Sequence, residues 1–335
     1  MIALAVVAVF CITLLFTGMF RDHALKKGLL DIPGNRSSHT NPTPRGGGVV
    51  FVVVTLIASG VLYGYGHIAR AEFILVACSF LMATVGVADD YLHLRNSLRF
   101  IAQVIIATLF LALNGVQETL ALAPLTIHFG LFAWPLCVLF IVWSVNLFNF
   151  MDGLDAFASM EAFVIFIVLG ALGAAAGVSH FSTLMFILAA SMAGFLKWNF
   201  PPAKIFMGDG GSYFLGFIIA GAALVSHARP GIPFMVPITL YGLFWFDATA
   251  TLMRRILAGE TWYMAHRSHA YQRLHQAGHS HLAVTGYALL ANSALVILAV
   301  TGFFHPQYML ALFAAAILLL AFLYATVERI KPFGQ

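Results

Sequence analysis

Oxygen-bearing side chains recur at every third position of the segment NLFNFMDGLDAF, residues 146–157. They are Asn146, Asn149, Asp152 and Asp155. Residues three apart are neighbours on a helix surface, so this spacing predicts one stripe of amide and carboxylate oxygens, with Gly153 allowing a ligand to approach closely. Such oxygens are the ligands that hard cations prefer. The segment therefore predicts a site for a divalent cation and a polar ligand.

Two adjacent carboxylates, Asp89 and Asp90, occur in the segment ADDYLHLRNSLR, residues 88–99. Neighbouring carboxylates repel each other, so one of them should have a raised pKa or hold a cation. The pair is typical of a general base or a metal anchor. An ordinary solvated helix end would also account for it.

A third segment, KIFMGDGGSYFLGF at 204–217, places Asp209 among glycines, with Ser212 expected to open a helix. Glycine-rich turns at helix starts bind phosphate through backbone amides. Because Lys204 and a second acidic segment are also available, we expect magnesium together with a diphosphate. Mg²⁺ typically takes one or two protein oxygens and completes its shell with substrate phosphates.

Basic side chains are concentrated in two further segments. Residues 254–284 hold four arginines and five histidines, namely His266, His269, His275, His279 and His281. They are suited to gripping phosphate, although contact with anionic lipid or a metal bound by HxxxHxH at 275–281 would fit as well. In residues 31–49, three glycines follow Arg36 and Arg45, and their amides could approach a phosphate; a flexible loop is the alternative.

The composition indicates what kind of protein holds these segments. Hydrophobic residues make up 61% and charged residues 9% of 335 residues, and the mean hydropathy is +0.93. Soluble domains have about 25% charged residues. A soluble globule, a disordered chain and a disulfide scaffold are excluded, and we expect a single integral-membrane domain over residues 1–335 that is all-α and polytopic.

Eleven apolar segments approach the length needed to cross a bilayer. They are 2–20, 47–65, 71–88, 100–114, 131–148, 158–177, 181–197, 212–227, 233–253, 285–304 and 308–326. With this count, 15 of the 17 Lys and Arg residues fall on one side, and only Arg70 and Arg229 on the other. The positive-inside rule then predicts a periplasmic N-terminus and a cytoplasmic C-terminus. The acidic segments converge on the cytoplasmic face, where we expect an active site.

Together the motifs resemble a known family. ADDYLHLR, NxxNxxDGLD, FMGDGGS, and FDATATLMRR followed by HRSHAYQRL occur in the order of the polyprenyl-phosphate N-acetylhexosamine-1-phosphate transferases, glycosyltransferase family 4, which also holds the phospho-N-acetylmuramoyl-pentapeptide translocases. The resemblance covers residues 31–275. The HRSHAYQ loop is similar to the branch that initiates O-antigen, lipopolysaccharide or other surface-polysaccharide synthesis at the bacterial inner membrane.

The resemblance implies a reaction. A UDP-N-acetyl-sugar and undecaprenyl phosphate would give sugar-diphospho-undecaprenol and UMP, with Mg²⁺ as cofactor and Mn²⁺ as a substitute. The lipid phosphate would attack the β-phosphorus, so the protein must mainly align two anions and neutralise their charge. Nucleic acid is not expected as a partner, and a homodimer stays open.

The resemblance also implies roles for individual residues. Asn149 and Asp209 match the magnesium ligands, and Asp89 and Asp90 the catalytic pair at the lipid phosphate, as base or charge organiser. The positions assigned to the nucleotide sugar are Asn146, Asp152, Gly153, Asp155, Phe206, Arg267 and His269, with Gly153 and Asp155 at uracil and Phe206 stacking on it. Those assigned to the lipid phosphate are Arg45 and Arg99. Asp247 is expected to be structural or supporting.

Some positions depart from the family's pattern. Ala156 replaces the usual glycine after DGLD, which is expected to tighten the nucleotide pocket. His266 stands where aspartate is usual, and Tyr271 and Gln272 replace two histidines. A mechanism that needs that histidine cluster does not transfer to this chain.

Two other functions compete with this interpretation. A CDP-alcohol phosphotransferase would need a DGxxAR run, which DGLDAFAS lacks. A transporter or lipid flippase predicts ionisable residues in mid-membrane or paired broken helices, whereas only Asp247 is expected to lie deep and no internal repeat is found. The sugar is left open among N-acetylglucosamine, N-acetylfucosamine and N-acetylquinovosamine.

Overall fold

The computed structural model describes residues 1–33, 41–116, 118–122, 125–227, 231–261 and 266–334. Arg36 and Arg229 therefore lie outside the described residues. The helices within them are α1 Ile2–Lys27, α2 Gly48–Gly64, α3 Arg70–Leu92, α4 Asn96–Asn114, α5 Ala133–Met151, α6 Phe157–Ala175, α7 Ser179–Asn199, α8 Asp209–His227, α9 Met235–Leu240, α10 Gly242–Leu257, α11 Ala270–Gln276, α12 His281–Phe304 and α13 Met309–Ile330.

Two short antiparallel strand pairs accompany the helices. Strand β1, Leu30–Asp31, pairs with β2, Thr43–Pro44. Strand β3, Thr119–Leu122, pairs with β4, Leu125–His128, in the stretch between α4 and α5 that is too polar to span a membrane. The prediction of a helical protein is confirmed for the described residues apart from these small pairs.

Nine helices of the described residues are long and apolar enough to cross a membrane. They are α1, α3 to α8, α12 and α13, with the 3-10 turns before α5 and α13 counted as parts of those spans. The protein is thus a multi-pass membrane protein. Two of the eleven expected segments do not reach this length: α2 has 17 residues, and residues 233–253 do not form one helix.

The helix expected at 233–253 is bent into two at Tyr241. Pro237 lies inside the short α9 and lacks the amide proton of a regular helix. Gly242 follows directly, and Trp245 donates its indole N–H to the carbonyl of Ile238 at 2.9 Å, which satisfies a backbone oxygen at the bend. The apolar run in the sequence does not reveal this break, and the expected segment consists of two helices, α9 and α10.

Helix α8 is the centre of the bundle, and its residues Gly210–Ser226 are all buried. Glycines let its neighbours approach closely. A Cβ added to Gly216 would lie 2.6 Å from the carbonyl oxygen of Ser144 in α5, and one added to Gly86 of α3 would lie 2.3 Å from that of Asp209. Helices α3 and α5 therefore end beside the start of α8, which brings their acidic ends together.

Candidate active site

A cavity of about 300 Å³ opens at this end of the bundle. Five aspartates line it against one arginine and one histidine: Asp31, Asp90, Asp152, Asp155 and Asp209, with Arg45 and His281. Gly153, Phe206, Asn149 and Gln272 also contribute to the wall. We call this space the donor cavity, because the resemblance assigns several of its residues to the nucleotide-sugar donor. Its lining has an excess of negative charge.

Asn149 and Asp209 lie together, as the sequence predicts for cation ligands. The Asn149 amide, from the last turn of α5, donates to a carboxylate oxygen of Asp209 and to the hydroxyl of Ser212, both at 2.9 Å. Because its nitrogen faces these groups, its carbonyl oxygen is turned the other way. Helix α8 starts at Asp209 and not at Ser212, so the carboxylate is on its first turn.

The expected helical stripe holds only for its first half. Helix α5 ends at Met151, and Asp152 and Asp155 belong to the turn that leads to α6. Ala156 ends this turn with φ +59°, a left-handed conformation that favours glycine, and lies outside the donor-cavity lining. The departure at Ala156 therefore changes backbone strain and not the pocket wall, contrary to the expectation of a tighter pocket.

Asp152 shows the consequence of the crowded acids. Burial, together with the negative charges of Asp209, Asp90 and Asp155, raises the pKa of its carboxyl group well above its usual range. A bound cation would offset both effects. The charge of the lining therefore fits a divalent cation.

The donor set fits magnesium in particular. Within the described residues, no three His, Cys, Asp or Glu side chains are arranged as metal ligands, so neither a zinc site nor a closed protein cage is formed there. Mg²⁺ prefers to keep several waters and to bind through one or two protein oxygens plus phosphates. Asp209 and Asn149 are the residues that could hold it, although the Asn149 amide would have to turn its oxygen toward the Asp209 carboxylate, and their assignment stays a prediction.

The residues that the resemblance assigns to the nucleotide base also line the donor cavity; they are Gly153, Asp155 and Phe206. Gly153 has a structural reason to be glycine, since a Cβ there would lie 2.2 Å from the Tyr271 hydroxyl oxygen. The backbone amide of Phe206 donates a hydrogen bond to the carbonyl oxygen of Pro44 at 2.8 Å. Asp155 and Phe206 thus offer a carboxylate and a ring to a planar ligand.

A second cavity of about 300 Å³ adjoins the first and is lined by Arg45, Asp89, Asp90, His93, Leu94, Arg99 and Asp209. We call it the acceptor cavity. Asp89 is only 6% exposed, and its carboxylate accepts hydrogen bonds from Arg99 at 2.5 Å, the Tyr213 hydroxyl at 3.2 Å and the Leu94 amide at 3.0 Å. Each of its oxygens is therefore already satisfied.

Asp90 belongs to both cavities. Its carboxylate accepts the backbone amide of Asp209 at 3.0 Å, and it lies 3.8 Å from the Arg45 guanidinium, which also donates to its carbonyl. A carboxylate at a helix N-terminus is favoured by the exposed amides there. The glycine-rich turn predicts that the amides at the start of α8 bind a phosphate. The first of these amides instead donates to the Asp90 carboxylate.

The glycines at 46–48 also serve a structural role. The amides of Gly47 and Gly48 donate to the carbonyls of Phe206 and Met207, both at 2.9 Å. A Cβ on Gly48 would lie 2.5 Å from the Cα of Gly211. The expectation that these two amides bind phosphate was wrong, because they tie the start of α2 to the start of α8.

The loop before α11 is positioned by Asp247 of α10. Its carboxylate accepts the backbone amides of Ala270 at 2.9 Å and Tyr271 at 3.3 Å, and lies 3.6 Å from the His269 ring. His269 is 3% exposed, and neither it nor Arg267 lines the donor cavity. Their assignment to the diphosphate stays a prediction, while Asp247 acts as a support.

Substituted positions in the same loop take part in the packing. The Tyr271 hydroxyl donates to the carbonyl of Phe150 at 2.8 Å, and burial raises the pKa of its phenol well above the usual value. Burial also lowers the pKa of His266 to about 3, so its ring is neutral where the family has an acid. Gln272 reaches the donor cavity itself.

Asn146 is placed elsewhere. Its amide donates to Gln103 of α4 at 2.7 Å and to the carbonyl of Val142 at 2.7 Å. It is one turn further into the membrane than Asn149 and does not line the donor cavity. The contact fixes α4 against α5, so the structure gives Asn146 a helix-pairing role, and its assignment to the nucleotide sugar stays a prediction.

Four polar residues of the lining had not been assigned to the nucleotide-sugar site from the sequence: Asp31, Asn199, Gln272 and His281. Asn199 holds the α6 start, since its side-chain oxygen accepts the Ala156 amide at 3.1 Å. Asp31 and His281 were seen only as parts of longer segments. Carboxylates and histidines beside predicted spans on the cytoplasmic side are the signal that could have found them.

Comparisons with known proteins identify the family of this chain. Residues 72–227 match the sequence model of glycosyl transferase family 4. A Bacillus subtilis protein named "Probable undecaprenyl-phosphate N-acetylglucosaminyl 1-phosphate transferase" is 33% identical over 275 residues, covering 80% of this chain and 75% of the relative.

More distant relatives carry related names. A decaprenyl-phosphate N-acetylglucosaminephosphotransferase of Mycobacterium tuberculosis is 28% identical over 355 residues, with 96% of this chain and 86% of the relative covered. A phospho-N-acetylmuramoyl-pentapeptide-transferase of Listeria monocytogenes is 32% identical over 230 residues, with 62% and 70% covered. The chain belongs to glycosyl transferase family 4, the superfamily of polyprenyl-phosphate hexosamine-1-phosphate transferases.

Proposed function

We propose that this protein transfers an N-acetylhexosamine 1-phosphate from a UDP-sugar to undecaprenyl phosphate and releases UMP, with Mg²⁺ as cofactor and Mn²⁺ as a substitute. The lipid phosphate oxygen forms a bond to the β-phosphorus, and the bond between that phosphorus and the bridging oxygen of UMP breaks. The site faces the cytoplasm, where a nucleotide sugar meets a membrane-bound lipid.

One observation carries this proposal. Two cavities of about 300 Å³ meet at Arg45, Asp90 and Asp209, and they differ in charge. The donor cavity has an excess of carboxylates, which suits a cation with a diphosphate. The acceptor cavity has two arginines and one histidine for three aspartates, two of which belong to the shared wall, so its lining is closer to neutral and its arginines suit a phosphate monoester. A reaction between the two ligands would take place at their shared wall.

The side chains have separate tasks in this arrangement. Asp89 is occupied by Arg99 and Tyr213, so it orients the Arg99 guanidinium toward the lipid phosphate. Asp90 faces both cavities and is the carboxylate placed to accept a proton from the attacking phosphate. Asp209 and Asn149 would hold magnesium, which when bound supplies positive charge to the diphosphate.

The identity of the UDP-sugar and of the pathway is supported less directly than the reaction itself. Relatives named for N-acetylglucosamine make UDP-N-acetylglucosamine the first donor to test, and the HRSHAYQ loop favours the start of an O-antigen, lipopolysaccharide or other surface polysaccharide in the bacterial inner membrane. UDP-N-acetylfucosamine and UDP-N-acetylquinovosamine complete the panel.

The test is UMP release by the purified protein in detergent with undecaprenyl phosphate, magnesium and each donor. Asp209→Asn serves as the blank. Release that requires lipid, metal and one sugar is expected. No release with any donor and no binding of UMP, from protein shown to be folded, would overturn the proposal and favour a lipid flippase.

A further inference from the structure

His281 contacts the carboxylate that faces the nucleotide base. Its Nδ1 lies 3.1 Å from one carboxylate oxygen of Asp155 and accepts the backbone amide of the same residue at 3.4 Å. The other carboxylate oxygen accepts the backbone amide of Ala203 at 2.9 Å. Asp155 is 8% exposed and His281 lines the donor cavity beside it. The carboxylate is thus held from two sides in one orientation.

Helix α12 presents this histidine from its first turn. The Ser280 hydroxyl caps the helix by accepting the amide of Ala283 at 3.2 Å. One turn later, Thr285 donates to the backbone carbonyl of Asp155 at 3.1 Å. His281 and Thr285 are four residues apart on one helix face, so α12 is docked on Asp155 through both its side chain and its backbone.

The neighbouring acid has no such support. The charges that act on Asp152 are those of Asp209, Asp90 and Asp155, all of the same sign as its own. Asp155 instead has the imidazole of His281 and the backbone amide of Ala203 beside its carboxylate. The two acids of one turn therefore lie in different surroundings.

We propose that His281 is a positioning residue for base recognition, which orients the Asp155 carboxylate to accept the imide N–H of uracil. This inference rests on the proposed function, since it takes the donor to be a uridine nucleotide. Uracil carries a proton on N3, whereas cytosine carries a lone pair there. A fixed carboxylate at this place would bind the first and repel the second.

Two substitutions separate hydrogen bonding from packing. Asparagine places hydrogen-bonding amide atoms near the position of the imidazole Nδ1, whereas phenylalanine keeps a ring and removes the hydrogen-bonding atoms. We expect His281→Asn to bind UMP within about threefold of the natural protein and His281→Phe to bind about tenfold more weakly. The ratio of UMP to CMP affinity should fall with the second variant alone.

The measurement is calorimetric titration of UMP and of CMP into detergent-purified protein with magnesium. His279 provides the matched control, because its ring contacts the Tyr287 hydroxyl at 3.3 Å and not the donor cavity. His279→Asn and His279→Phe should leave UMP affinity within about twofold. Thermal unfolding confirms that each variant is folded, and His281→Leu replaces His281→Phe if the latter is not.

Only one order of affinities supports the proposal. If His281→Phe binds UMP as well as His281→Asn, or if both variants lose affinity equally, packing accounts for His281 and the inference is overturned. An unchanged ratio of UMP to CMP affinity would overturn it too. If the natural protein itself fails to bind UMP, the proposed function has failed, and the two results are distinguishable.

Discussion

Aspartates line both cavities, but the basic residues around them differ in number. In the acceptor cavity, Asp89 receives Arg99, a tyrosine hydroxyl and a backbone amide, so its charge is neutralised within the protein. In the donor cavity, five aspartates share one arginine and one histidine. Asp89 therefore has its counter-charge within the protein, whereas the donor cavity keeps an excess of negative charge. The difference indicates that an acidic motif is a candidate metal site where its acids outnumber their basic partners.

The largest effect should come from the donor side. Asp209→Asn removes a charge that we assign to magnesium, and we expect turnover to fall by about a thousandfold. UMP release over a range of magnesium concentrations measures it. Near-normal activity at saturating magnesium would remove Asp209 from the metal site.

A surface carboxylate provides the control for this substitution. Asp22 is paired with Arg21 on α1, and its side chain is 55% exposed. Asp22→Asn should leave UMP release unchanged. If it lowered activity as much as Asp209→Asn, the loss would reflect general charge and not a ligand.

The acceptor side should respond in a different kinetic parameter. Arg99→Gln removes the guanidinium beside Asp89 and leaves that buried carboxylate without its cation, so we expect the KM for undecaprenyl phosphate to rise by about 30-fold. UMP affinity should not change. Arg95→Gln, at an exposed arginine of the same loop, is the control. A rise in the donor KM instead would contradict the division into two cavities.

Proton binding offers a third way to sharpen the contrast. The raised pKa of Asp152 means that the folded protein binds this proton more tightly than the unfolded chain does. Stability from this group is therefore fully present below the ordinary aspartate pKa of about 4 and is lost as pH rises through the raised value. Magnesium should reduce the loss, because a cation stabilises the ionised form.

Thermal unfolding of metal-free protein across this pH range checks the expectation. The midpoint of the natural protein should fall relative to Asp152→Asn as pH rises, and added magnesium should narrow the gap. Parallel curves for the two proteins would show that Asp152 is not strained by its neighbours.

The smallest effect is expected at the loop that closes the donor cavity. Tyr271→Phe removes the hydrogen bond to the carbonyl of Phe150, which should lower the free energy of unfolding by about 1 kcal/mol. UMP release should change by less than about threefold, since the ring packing on Phe157 is kept. Tyr287→Phe, on the outer face of α12, is the control, and a large loss of turnover would mean that the hydroxyl has a direct role.

Much of this arrangement could be predicted from residue types and their order. Long apolar runs predicted nine helices that the structure contains, and spacing brought Asn149, Asp152 and Asp155 to one place. The prediction that these residues share one helix face was wrong after Met151, because α5 ends there and the DGLD turn follows. Ala156, in a left-handed conformation, comes next and precedes α6. Local pattern does not show where a membrane helix ends at its polar rim.

Other features depend on contacts between segments that are distant in sequence. The pairing of Gly47 with Phe206 and of Asp90 with the start of α8 joins residues more than a hundred positions apart. Composition predicts that such segments are polar or glycine-rich, but not which partner takes the hydrogen bonds. The same holds for Asn146, whose partner is Gln103 and not a ligand.

The close crossing at Gly86 has a consequence for sequence variation. A methyl group there would have to occupy the space of the Asp209 carbonyl, 2.3 Å away, so even the smallest change would displace the first turn of α8. Gly86 touches neither cavity, yet an inherited or engineered change at this point should act like a change in the site itself. Searches for variants with new sugar preferences should therefore leave Gly86 constant while they vary the cavity walls.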